Sequence, residues 1–166
     1  MKQPKLQFDH PTQTSASTFL QAVATGDAAT IWAGLSHETR GLLEGLYAGH
    51  AGLALHRAAG VDGSPGDARL AEMLAPLRTS VLSALGGSEQ IGGYGVAGAR
   101  LVDRNTAYVL LLPDFGDERV VTEDEWRPSH LLAFVHESRD WLVDIGRTSE
   151  LSADAGLPDL LGAIRR

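Results

Sequence analysis

Six histidines, three tyrosines and a scatter of acids are the groups of this sequence that have chemistry to offer. Among them, His130 and Asp144 are the side chains suited to pull a proton from carbon beside a carbonyl. An imidazole titrates near neutrality, and a carboxylate does so once burial lifts its pKa. Tyr108 or Tyr47 supplies the matching donor to a developing oxyanion. Trp32, Tyr47, Tyr108 and His130 each join an apolar body to a polar tip, the side-chain type that lines small-molecule pockets. Two functions are open on these residues. The leading one is a non-catalytic module that binds a small apolar or mixed ligand, or serves as an interaction module. The alternative is an enzyme of dehydratase or isomerase type with a His or Asp base. A structural reading stands beside each: the aromatic residues as core, and Asp144 as an outward-facing residue of a strand that buries Trp141, Val143 and Ile145.

Other motifs carry less. Gly93-Tyr94-Gly95-Val96-Ala97-Gly98 matches G-x-G-x-x-G, but a helix precedes it and a strand follows, the reverse of a dinucleotide site. A bent or bulged strand is the expectation there. Asp114-Phe115-Gly116 lacks every other part of the kinase set. No two histidines stand four apart on a helix, and His130 and His136 are roughly 20 Å apart along a strand, so no metal is expected. The acids between Asp114 and Arg127 lack the order of a calcium loop and read as a solvated crossover. No cofactor is expected.

Composition bounds the partners. Acidic residues outnumber basic ones 21 to 14 in 166 residues, and the only lysines are Lys2 and Lys5. Nucleic acid, which needs a clustered basic face, is excluded. No run of apolar residues approaches a membrane span or a signal peptide, so the expectation is a cytoplasmic protein. The absence of cysteine removes disulfides, thiolate metal sites and a cysteine nucleophile.

The elements that must position these groups follow from periodicity and caps. Residues 1–13 read as an extended arm, and 14–166 as a single α+β domain. A helix starts at Thr14 or Ser15 and ends at Gly26; Asp27 and Ser36 cap two more. Residues 48–60 are helix-compatible but interrupted by Gly49 and Gly52, and 61–67 form a loop. Asp67 caps a helix with apolar residues at Leu70, Met73, Leu74, Leu77, Val81 and Leu85, kinked or split by Pro76. After Gly87 the period changes to strands: 90–102 and 106–112 joined by Asp103-Arg104-Asn105, then 129–137 and 141–146 joined by Ser138-Arg139-Asp140. Leu157, Leu160, Leu161 and Ile164 suggest a C-terminal helix. The sum is N-terminal helices packed on a curved antiparallel sheet of about four strands, with a C-terminal helix.

Both faces of 106–112 and 130–135 are apolar, so both want cover. One set, Leu110, Leu112, Leu132 and Phe134, or its complement, Val109, Leu111, Leu131 and Val135, faces away from the helices. A homodimer through that face is the expected cover, with the C-terminal helix as the competing one.

Placed this way, the chain resembles the nuclear transport factor 2-like superfamily, the cone-shaped, cystatin-like α+β domain shared with ketosteroid isomerase and scytalone dehydratase. The carriers are Phe19-Leu20-Gln21-Ala22-Val23-Ala24-Thr25-Gly26-Asp27 with Ile31-Trp32 and Leu35-Ser36, and Leu132-Ala133-Phe134-Val135-His136-Glu137 with Trp141-Leu142-Val143-Asp144. The resemblance implies a pocket between helices and sheet. Many members place a hairpin where this chain has helix-like 37–60, which implies a remodelled pocket mouth. The acid–base residues of the isomerase and the dehydratase have no match here, so the resemblance carries no chemistry with it.

Overall fold

A computed structural model describes residues 5–52, 68–91, 94–112 and 128–165. Capping chemistry sets the helix starts. His10 Nδ1 accepts from the Thr12 amide at 3.3 Å and Gln13 Oε1 accepts from the His10 amide at 3.0 Å. This capping box, with Pro11 pre-set for the first turn, starts α1 (Pro11–Thr25) three residues ahead of the expected Thr14. Asp27 and Ser36 cap α2 (Ala28–Ala33) and α3 (His37–Ala51), as expected. Helix α3 runs through Gly49 and ends at Gly52 in the left-handed conformation, so only the second of these glycines breaks it.

Helix α4 (Ala68–Leu85) is continuous through Pro76, neither split nor ended there. Leu70, Met73 and Leu74 before the proline and Leu77, Val81 and Leu85 after it are all buried, so packing on both sides holds the helix together. The proline removes one hydrogen bond, the one its missing N–H would give to the Glu72 carbonyl. The expected cap Asp67 and loop 61–67 lie outside the described residues, as does the acidic crossover after Leu112. A short helix, α5 (Ser88–Ile91), precedes the sheet.

The sheet is a five-stranded antiparallel meander in the order β1 (Leu6–Gln7), β2 (Gly95–Asp103), β3 (Thr106–Leu112), β4 (His130–Glu137), β5 (Asp140–Val143). The arm thus contributes a fifth strand. Gly98 makes this possible: its φ is +78°, the β2–β3 register shifts between Val96 and Ala99, and an added Cβ would sit 2.8 Å from the Gln7 carbonyl oxygen. The described part of the glycine motif is therefore a bulged strand, and Gly93 lies outside the described residues. Ser138 and Arg139, both with positive φ, make the two-residue turn between β4 and β5.

Register decides the faces. Val109 pairs with Leu132 and Leu110 with Leu131. Val109, Leu111, Leu132 and Phe134 thus face the main core with α1, α2 and α4, while Leu110, Leu131 and Ala133 form a second cluster with Leu6 and Tyr108. The two sets expected from the sequence were each wrong in one strand, an error of one residue in register that exchanges the faces of β4 relative to β3.

The strand expected to run to residue 146 stops at Val143. Asp144 instead caps α6 (Ile145–Ala155), which packs along β4 and brings Leu151 over the outer face, joined there by Leu157. The C-terminal helix expected from 157 onward is reduced to a 3₁₀ turn at Gly162–Arg165, with Leu160, Leu161 and Ile164 in the main core. Among the described residues no helix is long and apolar enough to cross a membrane.

Candidate functional site

The side chains singled out in the sequence do not converge. Trp32 is buried in the main core, with the Arg40 guanidinium 5.4 Å from its ring centroid and Arg40 Nε donating to the Trp32 carbonyl at 3.0 Å. Arg40 thereby closes the C-terminal end of α2, and Trp32 is a packing residue. Tyr108 belongs to the outer cluster. His130 pairs with Leu111 and alternates with Leu132 and Phe134, which puts it on the inner face. Tyr108 and His130 stand on opposite sides of one sheet, so they do not form a base and an oxyanion donor for one substrate. His130 Nδ1 lies 2.9 Å from Ser129 Oγ, and burial holds its pKa below the ordinary imidazole value.

Asp144 is buried, not outward-facing, and its oxygens are engaged. Oδ2 accepts from the Ser36 hydroxyl at 2.7 Å and Oδ1 from the Arg147 amide at 2.8 Å. Ser36 Oγ accepts in turn from the Thr39 amide at 3.1 Å, and Thr39 Oγ1 from the Ile145 amide at 2.9 Å. Two helix N-termini, those of α3 and α6, are therefore capped by one shared knot of three side chains. Every group in it satisfies a backbone donor or a neighbour, which is the arrangement of a structural network. The knot extends to the sheet: the Thr148 hydroxyl donates to the Asp144 carbonyl at 2.7 Å and accepts from the Ala133 amide at 3.0 Å. This satisfies the edge of β4 where β5 has ended.

Tyr47 is the one candidate that lines a large cleft. The cleft, about 570 Å³, lies between the C-terminal half of α3 and the middle of α4, with the 3₁₀ turn at its end. Leu43, Leu46, Met73 and Ile164 give it an apolar floor, and Tyr47, His50, Glu72 and Thr79 its polar groups. The Tyr47 hydroxyl donates to Glu72 Oε2 at 3.2 Å. Pro76 lines the same cleft, and its missing N–H leaves the Glu72 carbonyl without the usual donor one turn on. A second groove of about 290 Å³ runs between α1, α2 and β5 beside Trp141. That tryptophan, expected in the core, is half-buried, with the rings of His10 and His136 each centred 5.0 Å from it. No three carboxylate or imidazole groups gather at one point among the described residues.

Sequence reasoning missed Glu72, Met73, Pro76 and Ile164 as cleft residues. Met73 and Ile164 sit in apolar stripes that read as core, and Pro76 reads as a helix breaker. The available signal was Tyr47 and Leu46 beside a proline-bearing helix, which says nothing about which two faces meet. The chain matches no family model, no curated protein and no solved structure.

Proposed function

We propose that this chain is a non-catalytic domain that binds a small molecule with an apolar body in the cleft between α3 and α4. The observation that carries the reading is the cleft itself: about 570 Å³, apolar below and polar at one wall, the size and make-up of small-molecule sites. The resemblance to the nuclear transport factor 2-like cone belongs to the proposal, supported by α1, α2 and α4 packed on one face of an antiparallel sheet, with the ligand moved from the sheet to the helices. Cytoplasmic residence belongs to the proposal and rests on the sequence alone. Catalysis with His130 or Asp144 as base is not proposed, because the first has no facing tyrosine and the second spends its lone pairs on helix caps.

A homodimer through the outer face is not needed to cover it, because Leu151 of α6 and Leu157 pack on Leu110, Leu131 and Ala133 there. Light scattering at twice the chain mass, reduced by Val135→Glu, would show that a second copy pairs through this face.

Nile red, a neutral apolar dye, tests the reading. It should brighten with the wild-type chain and fail to do so with Ala75→Trp, which puts an indole into the cleft from an exposed position. Equal brightening by both would contradict the site.

A further inference from the structure

We propose that the α3–α4 cleft selects an organic ammonium ion carried on an apolar body, its charged nitrogen seated beside Glu72. The inference rests on the reading of this cleft as a ligand site and adds the charge of the ligand.

The polar wall carries one carboxylate among the described lining residues. The Glu72 carboxylate faces the cleft, held by the Tyr47 hydroxyl at 3.2 Å. Among the described lining residues there is no lysine or arginine, and His50 is the only base.

Three ligand chemistries fare differently against this wall. A carboxylate meets Glu72 as a like charge. An alcohol gives one hydrogen bond. A primary ammonium gives up to three and bears the opposite charge. The apolar body packs on Leu43, Leu46 and Met73 in each case, so the body does not discriminate among the three.

The test uses phenylbutylamine, phenylbutanol and phenylbutyrate, which share one apolar body, titrated calorimetrically into the full chain near neutral pH. The amine should bind about fivefold more tightly than the alcohol, the gain expected of a partly solvated ion pair, and the carboxylate least. Glu72→Gln should bring amine and alcohol to parity while leaving the alcohol unchanged. Glu72 is exposed, so this variant is expected to fold, and its melting curve checks that. Tyr47→Phe, which frees the carboxylate, should narrow the preference without abolishing it. An alcohol that binds as tightly as the amine, or a preference that survives Glu72→Gln, overturns the ammonium inference and leaves the cleft as a ligand site. Failure of all three to bind overturns both.

Discussion

The Ser36 hydroxyl donates to Asp144 Oδ2 across 2.7 Å, joining positions 108 residues apart in the chain. Ser36 starts α3 and Asp144 starts α6, so one hydrogen bond ties two helix caps together. The β-bridge between Leu35 and Val143 immediately before them shows that the backbone is paired there as well. The helix that forms one wall of the cleft is thereby fixed to the sheet.

Ser36→Ala leaves a buried carboxylate without its hydroxyl donor and removes a cap. It should cost about 1–3 kcal/mol, read from urea denaturation. A cycle with Asp144→Ala should return a coupling of at least about 1 kcal/mol. Additive effects of the two changes would show that the knot is not a unit.

Stability should fall on mild acidification. Burial lowers the pKa of both His10 and His130 from the ordinary 6.5, so the unfolded chain binds more protons than the folded one just below that value. Stability from these groups is present in full above about 6.5 and is lost as pH falls toward their folded values. His10 has a structural reason as well: Nδ1 accepts the Thr12 amide only while unprotonated. Urea midpoints measured between about pH 7.5 and 5.5 should decrease, and decrease less in His10→Asn, which keeps a cap acceptor that does not titrate. A midpoint that rises over this interval would contradict the assignment.

Two glycines should respond in opposite directions. An added Cβ at Gly45 in α3 meets nothing within 4 Å, so Gly45→Ala should stabilise by about 0.5–1 kcal/mol through helix propensity alone. At Gly98 the same methyl collides with the Gln7 carbonyl at 2.8 Å on a backbone with φ of +78°. Gly98→Ala should therefore lower the melting temperature and loosen β1, detected as faster amide exchange at Leu6 and Gln7. Equal effects at the two sites would refute the bulge.

Much of the frame was legible because it is local. Asp27 and Ser36 announce helix starts by their own hydroxyl and carboxylate chemistry, and the two hairpins follow from turn residues between apolar runs. What failed depends on distance in the chain. The β3–β4 register is joined through a long connection rather than a tight turn, so nothing nearby distinguishes Leu131 from Leu132 as the partner of Leu110. Asp144 misled because Trp141, Val143 and Ile145 alternate as a strand does, while the partner that makes it a cap lies at Ser36. Of the candidate site, Tyr47 was legible as an amphipathic aromatic; Glu72 and Pro76 were not, since their meaning comes from the helix they face.

Met73 offers the most direct measurement. The sequence has only two methionines, Met1 and Met73, and Met73 lies in the cleft floor. Methyl-labelled methionine therefore gives a resonance from Met73 that reports the cleft. On addition of phenylbutanol, the Met73 signal should move and saturate. Binding that leaves the Met73 signal unmoved, or no binding at all, would contradict the assignment of the α3–α4 cleft as the ligand site.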